Sequence, residues 1–192
     1  MVRLPLLSVM TANNGRMDVR LFLELFLCAR HEKDAVCFHH CHTDITGSHA
    51  DPDTIMQAEL GLLGLVNGHS ARYAHSTSWR YEDGRTLLTY LVWVDPGVLK
   101  RLRTSRLSLV PTDVPQSSGP LAPRPETLCK NDVLIHALRH LLYLIVERGN
   151  AWIAETVGGR ATCDLLCRLD PVLAGRIAKP SSQKFESMSG LF

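Results

Sequence analysis

Apolar positions in the first half of the chain repeat with the period of β-strands, and one helix interrupts them. Residues 19–28 (VRLFLELFLC) are apolar at most positions, which predicts a strand with apolar side chains on both faces. Residues 36–44 predict a second strand. From 51 to 67 the apolar positions take helical spacing, with Pro52 in the first turn and Gly68 just after the end. The pattern therefore predicts two strands and then a helix.

A β-hairpin over residues 71–94 is the strongest structural prediction, because the apolar period returns to two there. The dipeptide Asp83-Gly84 suits a two-residue turn, which places Glu82 opposite Arg85. Strict alternation then puts His75 and Arg80 on opposite faces of the hairpin. On this register the face of His75 also holds Tyr73, Thr77, Trp79, Tyr81, Leu88, Tyr90 and Val92.

The second half of the chain predicts an irregular connection followed by helices. Residues 95–127 are rich in proline and serine, which favours a connection without regular structure. A long helix is predicted at about 128–148. A second helical region, at about 150–178, is interrupted at Gly158-Gly159.

This order of elements predicts an α+β fold, in which a mostly antiparallel sheet with one inserted helix is covered by the C-terminal helices. A chain of 192 residues has room for one full domain. We expect residues 1–178 to form that domain and residues 179–192 to be a disordered tail.

Composition narrows the classes of partner and the compartment. The net charge is +2, which is too small to indicate a nucleic-acid partner from bulk electrostatics. The sequence has neither a secretory signal nor an apolar run of about 18 residues, so we expect no membrane partner and a cytoplasmic protein. The six cysteines are then expected to be reduced.

The segment CFHHCHTDITG, residues 37–47, is the densest group of metal-ligating residue types. Because side chains alternate along a strand, His40, His42 and Asp44 share one face, and His39 lies on the other. Two imidazoles about 7 Å apart along a strand can lean onto one ion. We therefore predict that His40 and His42 are metal ligands.

The long helix carries a second candidate pair, His136 and His140. Their His-x-x-x-His spacing places both imidazoles on one helix face, where they can share a metal ion. Tyr143 continues the same polar stripe. The alternative is that this stripe is simply a solvent-exposed helix face.

The segment HCHTDITG at 40–47 resembles the His-x-His-x-Asp-His segment of metallo-β-lactamase-fold hydrolases, with His40, His42 and Asp44 at motif positions. The resemblance implies a metal-dependent hydrolase. It covers one short segment, and Ile45 stands where that family has its last histidine. We therefore assign the chain to no family.

Two functional hypotheses follow. The first is a small hydrolase dependent on Zn²⁺ or another divalent metal, held by His40 and His42 together with either His136 and His140 or Asp44. In this hypothesis Asp44 and His75 are catalytic, and a small-molecule substrate contacts Trp79, Arg80 and Tyr143. The second is a non-catalytic ligand- or protein-binding domain, in which the histidines are structural. The sequence leaves the oligomeric state open.

Overall fold

The computed structural model describes residues 20–31, 34–65, 71–109 and 128–172. Within these ranges the chain forms a mixed five-stranded sheet and five helices, which confirms the predicted α+β class. The predicted tail and the greater part of the predicted proline-rich connection lie outside the described residues.

The sheet has the strand order β3-β4-β1-β2-β5. Three of its four pairings are antiparallel, and the pairing of the central strand β1 with β4 is parallel. The strands are β1 (Arg20–His31), β2 (Ala35–Asp44), β3 (Ala71–Glu82), β4 (Arg85–Val94) and β5 (Ser105–Ser108).

The central strand β1 is covered on both faces, as its apolar sequence predicts. Residues 22–29 are all buried, so their alternating side chains enter two separate cores. Phe26 belongs to the core that also contains Leu138 of the longest helix. Leu25 belongs to the other core, which contains Leu60 of the first helix. We call these two sides of the sheet the helix face and the opposite face, respectively.

The helices are α1 (Pro52–Leu62), α2 (Pro96–Leu99), α3 (Lys130–Val146), α4 (Ala151–Thr156) and α5 (Arg160–Leu166). The Asp51 side chain caps α1 by accepting hydrogen bonds from the backbone N–H groups of Asp53 and Thr54. Helix α1 ends earlier than predicted, and the described part of the proline-rich connection contains α2 and β5. Among the described residues, no helix is long and apolar enough to cross a membrane.

The predicted hairpin is confirmed, with Glu82 paired to Arg85 across the turn. Asp83 and Gly84 have φ values of 50° and 77°, which are the left-handed conformations of a type I′ turn.

The predicted face of His75 is wrong, because the pairing of β3 with β4 shifts by one residue between Ser76 and Ser78. Thr77 is the extra residue, and its buried hydroxyl donates a hydrogen bond to the Thr89 carbonyl oxygen at 3.2 Å. A bulge of this kind reverses the alternation of side chains. His75 therefore lies on the helix face together with Arg80. Tyr73, which pairs with Trp93, changes face in the same way.

Candidate functional site

Adjacent strands bring a group of polar side chains together on the helix face. Glu24 of β1 pairs with His42 of β2 on one side and with Thr89 of β4 on the other. His40 lies two residues before His42 and therefore on the same face. Arg80 of β3 pairs with Leu87, so it also points to this side of the sheet. Four neighbouring strands thus build the site.

Glu24 is the centre of this group, and only 1% of its surface is exposed. Arg80 donates to both carboxylate oxygens, from Nη1 to Oε2 at 2.6 Å and from Nη2 to Oε1 at 2.8 Å. The Thr89 hydroxyl donates to Oε2 at 2.7 Å. These contacts compensate for the loss of solvent around a buried charge.

Burial by itself would raise the pKa of Glu24. The hydrogen bonds from Arg80, His40 and His42, together with the charge of Arg80, outweigh burial and hold this pKa well below its usual range. The carboxylate is therefore charged at neutral pH, which is the form that ligates a metal.

Both histidines direct Nε2 at the same carboxylate oxygen. His40 Nε2 lies 3.0 Å from Glu24 Oε1, and His42 Nε2 lies 3.4 Å from it. The His40 ring stacks on Phe26, with centroids 4.4 Å apart, which fixes its orientation. The donor atoms of Glu24, His40 and His42 all lie within 4.8 Å of one another, so this group could hold a metal ion.

Arg80 links this group to a second carboxylate. Its Nε donates to Glu82 Oε2 at 3.1 Å, while Nη1 also donates to the Thr89 hydroxyl at 3.1 Å. The guanidinium is therefore held by several partners and has little freedom to move.

The group opens into a pocket of about 210 Å³ between the sheet and the start of α3. The sheet contributes polar side chains to its floor, and the first turn of α3 forms one wall. The lining residues are Phe22, Glu24, His40, His42, Arg80, Glu82, Arg85, Leu87, Leu128, Cys129, Lys130 and Val133.

The other predicted metal ligands, His136 and His140, do not belong to the group around Glu24. His140 instead lies against His75, with ring centroids 4.9 Å apart, and Tyr143 stacks on His140 at 6.3 Å. Burial, followed by the neighbouring charges of His75 and His136, lowers the pKa of His140 to about 4. The structure therefore places His75, His140 and Tyr143 in a separate cluster.

Two further predicted site residues lie apart from the pocket lining. Asp44 forms an ion pair with Arg20 and accepts a hydrogen bond from the Thr46 backbone N–H at 3.0 Å. Trp79 is 71% exposed, and its neighbour Arg80 points to the other face of β3. Of the residues predicted to contact substrate, Arg80 is the one that lines this pocket.

Sequence reasoning missed Glu24, although the sequence contains a signal for it. Glu24 is the single charged residue within the apolar run LFLELFLC of the predicted first strand. A carboxylate in a strand buried on both faces must have a partner, because an unpaired buried charge is costly. That partner is supplied by β3, far away in the sequence.

Comparison of the chain with protein-family models and with curated proteins gives no match.

Proposed function

We propose that the protein is a divalent-metal-dependent hydrolase that holds its ion with Glu24, His40 and His42. The observation that carries the proposal is the convergence of two imidazole nitrogens and one carboxylate oxygen at the floor of a pocket. Two histidines and one glutamate are a ligand set found in catalytic zinc sites, where a fourth position stays open for water or substrate.

The spacing of the donor atoms supports a small tetrahedral ion. Bonds of about 2.0–2.2 Å to zinc place neighbouring tetrahedral ligand atoms about 3.3–3.5 Å apart. The separations between the histidine Nε2 atoms and Glu24 Oε1 are 3.0 and 3.4 Å, which are close to this spacing. Imidazole and carboxylate together favour Zn²⁺ over the harder ions Ca²⁺ and Mg²⁺.

A divalent ion held by Glu24, His40 and His42 would supply Lewis-acid chemistry and would lower the pKa of a water molecule. The protein itself holds the ligand side chains in a fixed orientation. Arg80 and Thr89 fix the Glu24 carboxylate by hydrogen bonds, and Phe26 fixes the His40 ring by stacking. His42 is 35% exposed and stands at the solvent side of the group.

The non-catalytic alternative is supported by the Arg80–Glu24 ion pair. The same separations of 3.0 and 3.4 Å suit hydrogen bonding or ion pairing between imidazoles and a carboxylate. Glu24 already has partners on both oxygens, so the network is also complete as a structural element without an ion.

Hydrolysis of an activated ester, such as p-nitrophenyl acetate, tests the proposal. Protein purified without a histidine tag should be active with Zn²⁺ and should lose this activity with a chelator. His40→Ala should be inactive, because it removes a ligand. His39→Ala, on the opposite face of the same strand, should retain activity. Equal rates for wild type and His40→Ala would overturn the proposal.

A further inference from the structure

Strand β3 forms one edge of the described sheet, and residues 78–82 at its C-terminal end present two exposed aromatic rings. Trp79 is 71% exposed and Tyr81 is 55% exposed. They lie two residues apart on the opposite face, where Leu88, the partner of Trp79 on β4, also packs. Large apolar side chains that are exposed side by side are typical of a surface that a partner covers.

The backbone at Trp79 and Tyr81 has hydrogen-bonding groups that point out of the sheet. Glu82 pairs with Arg85 across the two-residue turn, and the pair that flanks such a turn is hydrogen-bonded. Hydrogen-bonded and non-hydrogen-bonded pairs alternate along antiparallel strands, so the pairs of Trp79 and Tyr81 with β4 are of the second kind. The N–H and C=O groups of these two residues therefore point away from β4 and toward the edge.

This part of the edge lacks the features that usually prevent strands from pairing with another chain. Residues 78–82 include neither lysine nor proline, and the bulge at Thr77 lies just before them. The Arg80 guanidinium is held on the helix face by Glu24 and Glu82, and the Arg80 side chain is only 15% exposed. The other edge of the described sheet differs, since β5 has only four residues and no aromatic side chain.

The segment 78–82 is complementary to a second copy of itself. In a twofold antiparallel pairing centred on Arg80, Trp79 of one copy lies opposite Tyr81 of the other, and the reverse pair forms as well. The outward N–H and C=O groups of each such pair can exchange two hydrogen bonds. The twofold axis is perpendicular to the sheet, so the rings of both copies lie on the same face. Aromatic pairs directly across two strands stabilise a sheet.

We propose that the protein forms a symmetric homodimer, in which two copies join their sheets through residues 78–82 of β3. At the twofold axis the two Arg80 residues lie opposite each other, and each guanidinium is paired with Glu24 and Glu82 of its own copy. No unpaired cation therefore meets another at the axis. Such a short contact suits a weak dimer with a Kd in the micromolar range. The inference does not depend on a bound metal.

Sedimentation equilibrium at chain concentrations up to about 100 µM tests the proposal, since this range detects a dimer of micromolar Kd. Wild type should dimerise as its concentration rises. Trp79→Ala should raise the dimer Kd at least about tenfold, because each dimer loses two aromatic contacts. Tyr81→Ala should act in the same direction and provides a second variant at an exposed position. The matched control is Trp152→Ala, which removes an exposed tryptophan that contacts Tyr73 and should leave the Kd unchanged.

Amide hydrogen exchange distinguishes edge pairing from simple stacking of the exposed rings. On dimerisation the N–H groups of Trp79 and Tyr81 should exchange more slowly, whereas stacking of the rings alone would not protect them. Wild type that stays monomeric, or a dimer that Trp79→Ala leaves intact, would overturn the proposal. A dimer in which these two amides gain no protection, or one that Trp152→Ala weakens equally, would overturn it as well.

Discussion

Glu24 shows how one buried charge organises a surface of the sheet. It lies on the most buried strand, and its cost of burial is offset by a guanidinium, a hydroxyl and two imidazoles. Removing one partner of such a network leaves the other buried and uncompensated, whereas removing an exposed ion pair costs little.

Glu24→Ala should therefore lower the free energy of unfolding by about 3–5 kcal/mol, because Arg80 loses its main partner. Asp44→Ala removes an exposed ion pair with Arg20 and should cost about 0–1 kcal/mol. Urea denaturation of both variants measures the difference. A loss of less than about 1 kcal/mol for Glu24→Ala would contradict the role of this carboxylate in the fold.

The pair His75 and His140 predicts a stability that depends on pH. His140 Nδ1 and His75 Nε2 are buried and have no hydrogen-bond partner within the described structure. The pKa of His140 is lowered to about 4, so the unfolded chain binds a proton that the folded chain does not between about pH 6.5 and 4. Stability should therefore fall as the pH decreases through this window.

Acidification through this window should lower the free energy of unfolding by at most about 3 kcal/mol through His140 alone. Denaturation of wild type and His140→Leu at pH 7 and pH 4.5 measures it. Because leucine does not titrate, the variant should lose less stability than wild type on acidification. Identical losses in the two proteins would show that His140 does not titrate as described.

In the hairpin, the turn was predicted correctly from the sequence, but the face on which His75 lies was not. Its turn follows from Asp83-Gly84, because few other dipeptides adopt positive φ at both positions. The bulge at Thr77 has no comparable signal, and without it His75 is assigned to the wrong face. The turn is determined by the local sequence, whereas the bulge depends on the pairing of β3 with β4.

Gly84→Ala should destabilise the protein by about 1–2 kcal/mol, because alanine must adopt the left-handed conformation that glycine holds at φ 77°. Gly97→Ala is the control. Gly97 has no positive φ, and an added Cβ there meets nothing within 4 Å, so this change should be nearly neutral. Thermal denaturation of both variants makes the comparison. Equal melting temperatures would contradict the assigned turn.

At the scale of the molecule, strands β1 to β4 and the α+β class followed from apolar periodicity, whereas β5 lies in the segment predicted to be irregular. The candidate site could be predicted from the sequence only in part. Alternation alone places His40 and His42 on one face, but Glu24 and Arg80 join them through strand pairings that no local pattern specifies. The parallel pairing of β1 with β4 is such a long-range contact.

Helix α3 explains why the His-x-x-x-His pair is not part of this site. Lys130 lines the pocket, and His140 lies ten residues further along, about 15 Å at the rise of an α-helix. The helix therefore reaches the cluster of His75 with its middle and the pocket with its first turn. The spacing of His136 and His140 was read correctly as one face of a helix, but the position of that face over the sheet could not be read from sequence.

Zinc stoichiometry is the most direct test of the proposed metal site. Protein purified without a histidine tag is dialysed against Zn²⁺ at pH 7, and the bound metal is measured by mass spectrometry. The account predicts one zinc ion per chain for wild type and for His39→Ala, and a loss of that ion in His42→Ala. Wild type that binds no zinc, or His42→Ala that binds as much as wild type, would contradict it.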